Sequence, residues 1–134
     1  MVRYLADTSA WNRSTQAVGR WTELLEVGDV ALCAPVRLKL LFSARGAGEY
    51  ARLARDYRLL PDLPIDARAT ALAERTQEGL AQRAQHRGPT PVDLLVAAIA
   101  ELHGVTVLHH DRHFEVIARV TGQATEWLPP RRTG

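Results

Sequence analysis

Short apolar runs rich in β-branched and aromatic residues alternate along this chain with longer stretches in which apolar side chains recur at helical spacing. The stretches typical of helices cover residues 9–27, with a break near Gly19, and residues 35–45, 47–56, 66–86, 91–103 and 112–121. Gly104 is a normal C-terminal stop for the helix over 91–103. The runs typical of strands are VRYLA (2–6), VALCA (30–34), YRLLP (57–61), VTVLHH (105–110) and the weaker ATEWL (124–128).

Strands that alternate with helices predict an α/β fold in which helices cover both faces of a parallel sheet of four to five strands. The chain contains no internal repeat, low-complexity stretch or linker. We therefore expect one three-layer α/β/α domain over residues 1–134. Ligands of such sheets bind at the carboxyl ends of the strands, so a functional site is expected at that edge.

Composition narrows the class of protein without indicating a function. Of the 134 residues, 46% are apolar and 24% are charged, which is typical of a soluble globular domain. The longest apolar run, residues 94–100, is far too short to span a membrane. The opening MVRYLAD lacks a signal-peptide stretch and Cys33 is the only cysteine, so we expect a cytoplasmic protein. The net charge of +2 is too small to argue for nucleic acid by itself.

Three aspartates occur where a parallel sheet would bring them to one edge. Asp7 follows the first strand candidate, Asp111 follows VTVLHH, and Asp93 lies in the first turn of a helix that leads back to the sheet. Each could simply cap a helix, and Thr90 to Asp93 has the pattern of a capping box. Together, however, clustered carboxylates repel unless a cation lies among them. Their oxygens suit Mg²⁺ or Mn²⁺, and the hydroxyls of Thr8 and Ser9 could orient Asp7 or a bound water.

The segments that carry these acids resemble a known family. YLADTSAW near the start, RGPTPVDLLVAAIAELHGVTVLHHDRHFEVIA near the end and the helix between them resemble the PIN-domain ribonucleases, and most closely the VapC toxins of bacterial toxin–antitoxin pairs. The resemblance implies a PIN-like fold and a Mg²⁺- or Mn²⁺-dependent endoribonuclease site for structured RNA such as tRNA or rRNA. It also implies that Asp7 and Asp93 are the main metal ligands, with Asp111 as a further acid. His113 falls where many members have another acid.

Lys39 is the main departure from that family pattern. The resemblance places a glutamate there, in a context like VRLELLFSAR, whereas this chain reads VRLKLLFSAR and Lys39 is its only lysine beside sixteen arginines. We interpret Lys39 as an inactivating substitution, and expect its ammonium to form a salt bridge with Asp7 or Asp93 in place of a metal. The alternative is a natural lysine that extends to solvent or pairs with an acid for structural reasons.

Apolar side chains on the helices over 35–45 and 47–56 exceed what one sheet face needs. They belong either to the core or to a partner surface, and both uses stay open; the family resemblance implies a homodimer and a VapB-like antitoxin, for which this surface is a plausible contact. The residues concerned are Leu38, Leu41, Phe42, Tyr50 and Leu53.

Three functions remain open on the sequence alone. The first is a toxin that cleaves RNA and is impaired by Lys39, and the second is a catalytically inert PIN-like module that binds antitoxin or RNA. The third is a phosphohydrolase that uses the same acids on a small substrate. A zinc site at HHDRH (109–113) is disfavoured because no four-ligand pattern of nitrogen and sulfur accompanies it.

Overall fold

A computed structural model describes residues 1–131 of the chain. The domain predicted over 1–134 therefore ends in three residues, 132–134, that lie outside the described part. The elements, in chain order, are β1 (Tyr4–Ala6), α1 (Thr8–Arg13), a 3-10 turn (Ser14–Ala17), α2 (Val18–Glu26), β2 (Val30–Ala31), α3 (Ala34–Phe42), α4 (Ala47–Arg58), α5 (Ala67–Ala81), α6 (Pro91–Leu102), β3 (Thr106–His109), α7 (His113–Thr121) and β4 (Thr125–Trp127).

The sheet is parallel throughout, with the strand order β2-β1-β3-β4. Leu5 pairs with Val107, and Ala6, the last residue of β1, pairs with Leu108. The first and third strands are therefore neighbours in the middle of the sheet, and their carboxyl ends lie side by side. This arrangement confirms the predicted α/β class and a PIN-like three-layer architecture with four strands.

Two apolar clusters cover the two faces of the sheet. On one face Leu5 and Val107 pack with the buried sides of α3, α5, α6 and α7. On the other face Tyr4, Ala6 and Leu108 pack with α1 and α2, through Trp21 and Leu24 among others. Consecutive strand residues alternate between the two clusters, as expected for side chains that point to opposite faces of a strand. Helix α6 contributes the longest buried run, which matches its almost wholly apolar sequence.

The prediction of a strand over 57–61 is wrong. Tyr57 and Arg58 end helix α4, and the extended chain that follows reaches the sheet edge through a single bridge between Leu32 and Asp62. Pro61 accepts a hydrogen bond from the Leu32 amide at 2.9 Å, but it has no N–H to donate, and Pro64 lacks one too. A ladder with two missing donors cannot extend into a full strand.

Two helix boundaries also differ from the prediction. The break predicted near Gly19 occurs earlier, at Ser14–Ala17, where the Ser14 hydroxyl donates to the carbonyl of Trp11 at 2.8 Å. The helix predicted over 66–86 ends at Ala81. Ala84 there adopts a left-handed conformation with φ 57°, and the Gln85 amide donates to the Leu80 carbonyl at 2.8 Å. That bond closes the helix in the manner of a Schellman motif.

Helices long and apolar enough to cross a membrane were sought in the described residues, and none was found.

Candidate functional site

Asp7 and Asp111 lie at the carboxyl edge of the sheet, at the ends of its two central strands. The Asp7 amide donates to the carbonyl of Leu108 at 2.8 Å, so the backbone pairing of β1 with β3 continues up to the aspartate. Asp111 follows the end of β3 by two residues. Asp93 lies in the first turn of α6. It is close to Asp111, since His113 contacts both carboxylates. Asp93 and Asp111 therefore come together around His113, and Asp7 lies near enough for the charge of Asp93 to raise the pKa of its carboxyl group.

Asp7 is buried and only half of its carboxylate is satisfied. Oδ2 accepts the Ser9 amide at 3.0 Å and the Ser9 hydroxyl at 2.7 Å. Oδ1 is enclosed and accepts no hydrogen bond within residues 1–131. Burial raises the pKa of the Asp7 carboxyl above its ordinary value, and the negative charge of Asp93 raises it further. The Ser9 hydrogen bonds and the positive charge of Lys39 act in the opposite direction.

Ser9 ties the first helix to the end of the third strand. Its hydroxyl donates to Asp7 and accepts the amide of His110 at 2.9 Å. The Thr8 side chain is also buried, and its hydroxyl has no partner among the described residues. Ser9 therefore orients Asp7, as the sequence suggested that one of these hydroxyls could, while Thr8 makes no such contact.

Asp93 is held in place by the capping box that the sequence predicted. Its Oδ2 accepts the amide of Thr90 at 2.9 Å, and its own amide donates to the Thr90 hydroxyl at 3.2 Å. These two bonds fix the carboxylate in a buried position at the start of α6. A carboxylate oxygen has two lone pairs, so the cap leaves acceptor capacity directed toward Asp111 and His113.

His109 supports Asp111 in a way that the sequence did not reveal. Its Nδ1 accepts the backbone amide of Asp111 at 3.2 Å, and its ring lies between Phe114 and Trp127. Desolvation lowers the pKa of His109 to about 4, so the imidazole is neutral at pH 7, which leaves Nδ1 free to accept. A repeated histidine at a strand end gives no signal of this role, since the burial comes from packing between distant elements.

Asp93, Asp111 and His113 each offer one ligand atom, and these three atoms lie within 4.8 Å of one another. His109 and His110 do not belong to this group. The unpartnered, buried Asp7 Oδ1 next to this cluster is a second sign that a cation is expected here. Carboxylate oxygens that lie close together are the hard donor atoms that a divalent ion binds. These residues therefore fit the metal that the sequence suggested.

The salt bridge expected between Lys39 and Asp7 or Asp93 is absent. Lys39 is exposed on α3, and no ion pair of residues 1–131 joins it to either aspartate; the basic side chain closest to Asp93 and Asp111 is His113, at 3.4 and 3.5 Å. Its side chain lines a cleft, and the favourable charge that it exerts on Asp7 acts from beyond contact distance. The long lysine chain extends toward solvent because a flexible ammonium keeps its hydration there.

That cleft lies beside the candidate metal centre and is almost wholly apolar. It encloses about 490 Å³. Val92, next to Asp93 in the chain, lies on its α6 side, and Lys39 is the only charged residue in its described lining. Its wall comprises Ala34, Pro35, Leu38, Lys39, Phe42, Ile65, Val92 and Leu95.

Most of the predicted partner surface is exposed. Leu38 is 68%, Phe42 91% and Tyr50 47% exposed, whereas Leu41 and Leu53 are half-buried. Helix α4 contains no fully buried residue. The core reading, which the sequence left open, therefore does not hold for Leu38, Phe42 and Tyr50.

Comparisons with known proteins identify the family and agree with the fold. A family model for the PIN domain matches residues 4–120. Ribonuclease VapC18 of Mycobacterium tuberculosis is 37% identical over 97% of this chain and 98% of its own length. Ribonuclease VapC2 of the same species is 42% identical over 96% of this chain and 94% of its own. A crystal structure of DNA-bound VapBC from Salmonella typhimurium superimposes with a TM-score of 0.75 at 19% identity, covering 95% of this chain and 98% of that one.

Proposed function

This chain belongs to the PIN-domain family and, within it, to the VapC ribonucleases, and from this premise we propose that it is the toxin of a toxin–antitoxin pair. Its activity is divalent-metal-dependent endoribonucleolytic cleavage of structured RNA, of the tRNA or rRNA type. The 134 residues act as one domain, in the cytoplasm, and Lys39 impairs the catalytic site.

The observation that carries this proposal is the grouping of Asp93 and Asp111 with His113, beside the charge of Asp93 acting on the buried Asp7, one oxygen of which has no partner among the described residues. Asp7, Asp93 and Asp111 would hold the ion, which we propose to be Mg²⁺ or Mn²⁺. When bound, such an ion supplies a Lewis acid and an activated water for hydrolysis of a phosphodiester. The carboxylate charges that oppose one another in the metal-free protein are then neutralised.

The protein's own residues set the geometry of this centre. Ser9 donates two hydrogen bonds to one Asp7 oxygen, which leaves the other oxygen to bind a cation. The Thr90 cap prevents Asp93 from rotating away from the cluster. The neutral His109 ring accepts the amide of Asp111 and so holds the Asp111 backbone in place. Ligands fixed before the metal arrives lose little freedom on binding, which favours catalysis.

A second cleft, which contains two arginines and His110, offers a path for the RNA backbone. It encloses about 640 Å³ and is bordered by Arg13 at the end of α1 and by His110, next to Asp111. Arg131 completes it, although that guanidinium also pairs with Glu115 at 3.2 Å. Guanidinium groups bind phosphate oxygens without reading the bases, so this cleft suits a substrate recognised by its shape.

Lys39 acts as an impairing residue through its position rather than through an ion pair. It lines the apolar cleft with Val92, beside Asp93, and places a positive charge where the family has a carboxylate. A cation near the centre opposes the charge of an incoming metal ion and removes one potential ligand. We therefore assign weak metal affinity and slow cleavage to this chain.

The apolar cleft is the proposed docking site for an apolar segment of a VapB-like antitoxin. The exposed Leu38 and Phe42 side chains form its wall, and its position beside Asp93 would let the segment block the centre. The adjacent face of α4, with Tyr50 and Leu53, is proposed as the contact between two copies of the chain. Helix α4 packs on the core through half-buried residues such as Tyr57 but contains no fully buried residue, so a contact with a second copy would bury further apolar area.

A cleavage assay tests the nuclease itself. The metal-free chain is incubated with a structured RNA in Mn²⁺, in Mg²⁺ and in chelator, beside Asp93→Asn and the exposed control Asp56→Asn. We expect slow cleavage that needs metal, is lost in Asp93→Asn and is unchanged in Asp56→Asn. Cleavage that persists in chelator or in Asp93→Asn would exclude the proposed centre.

The second candidate is the catalytically inert module, which the exposed Lys39 in the cleft favours. Such a protein would bind the antitoxin or RNA as tightly as an active relative does. It would show no cleavage at any metal concentration, in either the original or the Lys39→Glu form.

A further inference from the structure

His113 directs an unpartnered nitrogen into the acidic cluster. Its Nδ1 lies 3.4 Å from Oδ2 of Asp93 and 3.5 Å from Oδ1 of Asp111. The atom is enclosed from solvent, although the whole side chain is 35% exposed, and it makes no hydrogen bond within residues 1–131. A buried nitrogen within 3.5 Å of oxygens from two carboxylates, and without a hydrogen-bond partner in the described chain, is in position to bind a cation together with them.

The backbone fixes this placement. Oδ1 of Asp111 accepts the His113 amide at 2.9 Å, at the start of α7. The short link between the two residues holds carboxylate and imidazole on the same side of the helix start. Asp93 approaches from the capping box of α6. Two elements thus present two oxygens and one nitrogen to one small volume, with ligand atoms within 4.8 Å of one another.

We infer that His113 is a metal ligand of this chain, and that the centre selects a first-row transition-metal ion over Mg²⁺. The inference rests on the proposed metal-dependent function and adds the identity of the ion. Mg²⁺ prefers oxygen ligands and retains its waters, so an imidazole contributes little to its binding. Imidazole nitrogen binds later divalent ions more tightly, with affinity rising from Mn²⁺ through Co²⁺.

Lys39 is compatible with this centre. It forms no ion pair with Asp93 within the described residues, and the side chain that approaches this carboxylate, at 3.4 Å, is His113. The nitrogen ligand therefore supplies affinity that does not depend on the carboxylate missing at position 39. Affinity for Co²⁺ should respond to His113 more strongly than affinity for Mg²⁺ does.

Direct metal binding, without any activity readout, tests the inference. The full chain, freed of metal, is titrated with Co²⁺, Mn²⁺ and Mg²⁺, and the Mn²⁺-loaded protein is examined by pulsed electron paramagnetic resonance for coupling to a coordinated ¹⁴N. The variants are His113→Asp, Asp93→Asn and the exposed control His86→Asn, each checked for folding by thermal melting. The series is repeated in the Lys39→Glu background so that weak binding in the original chain does not conceal the result.

We expect the ratio of Co²⁺ to Mg²⁺ affinity to fall at least tenfold in His113→Asp, the ¹⁴N coupling to disappear with it, and His86→Asn to match the unsubstituted chain. If the coupling and the ratio survive in His113→Asp while Asp93→Asn abolishes binding, the inference is overturned and the proposed metal centre stands. If Asp93→Asn binds metal as tightly as the parent in both backgrounds, the proposed centre itself fails.

Discussion

The carboxylate of Asp7 is a charged group that its surroundings disfavour. Burial raises its pKa above the ordinary value, and one of its oxygens has no partner in the described chain. A raised carboxyl pKa means that the folded protein binds the proton more tightly than the unfolded chain does. Stability from this group is therefore greatest at low pH and is lost as pH rises through the folded pKa. A cation bound at the proposed centre would relieve this unfavourable charge.

Replacing Asp7 by asparagine should stabilise the metal-free protein. The amide carbonyl can still accept from Ser9, while the buried charge is gone, so we expect the free energy of unfolding to rise by on the order of 1 kcal/mol at pH 7 in chelator. Added Mn²⁺ should raise the melting temperature of the original chain and not that of Asp7→Asn. Urea unfolding and thermal melting measure both effects, with Asp56→Asn as an exposed control. If Asp7→Asn is less stable than the original chain, the Asp7 carboxylate stabilises the fold and this prediction is contradicted.

His109 should make the fold sensitive to acid. Its pKa of about 4 in the folded protein lies below the ordinary 6.5, so between these values the unfolded chain binds a proton that the folded chain does not. Stability from this group is complete above pH 6.5 and is lost as pH falls toward 4. The difference of two to three pKa units corresponds to about 3 kcal/mol.

The variant His109→Asn isolates this contribution, because it keeps an acceptor near the position of Nδ1 but takes up no proton. In urea unfolding in chelator at several pH values from 7 to 4, His109→Asn should lose less stability than the parent. The exposed His86→Asn should lose as much as the parent does. Parallel curves for His109→Asn and the parent would mean that His109 is as easily protonated in the fold as in water.

The acids of the site were predictable from the sequence, whereas their supporting contacts were not. Asp7, Asp93 and Asp111 could be found because aspartates directly after strand candidates, or in a capping box, have local signatures. The hydrogen bond from His110 to Ser9 joins residues 101 positions apart, and the neutrality of His109 follows from packing against Phe114 and Trp127. Neither contact can be predicted from the spacing of residues along the chain.

Elements with strong local signals formed as predicted, and those that depend on neighbours did not. Helix α6 begins at Pro91 after the Thr90 cap and ends at Leu102, close to the predicted 91–103. The run over 57–61 has strand composition, yet its first residues continue helix α4 and two prolines restrict the rest to one bridge. Apolar content alone does not separate a short strand from the end of a helix.

The surface formed by α3 and α4 carries large apolar side chains that the isolated chain leaves exposed. Phe42 is 91% and Leu38 68% exposed, in a protein whose sheet is otherwise covered on both faces. The sequence predicted an excess of apolar side chains there but could not divide it between core and surface. That division depends on how α4 packs, and its side chains are at best half-buried. Exposed apolar area of this kind is typical of a binding surface.

Tyr50→Glu should convert the proposed homodimer into a monomer. Tyr50 is 47% exposed on α4, so a charge there would be buried in the dimer contact without a partner but would remain hydrated in the monomer. Sedimentation analysis measures the masses, and thermal melting verifies that the variant folds. Val27→Glu, at the end of α2 on the other layer of the fold, is the matched control and should stay dimeric. A parent chain that is monomeric at high concentration would contradict this arrangement.

The most direct test of the account is the rate of RNA cleavage by the original chain and by Lys39→Glu, measured side by side in Mn²⁺ and in chelator. Glutamate at position 39 would remove a positive charge from the cleft beside Asp93 and restore the carboxylate that the family resemblance places there. We expect cleavage to rise by about 100-fold or more, which corresponds to roughly 3 kcal/mol of transition-state stabilisation, and to vanish in chelator. Equal rates for the two forms, or cleavage that chelator leaves unchanged, would contradict a metal-dependent nuclease impaired by Lys39.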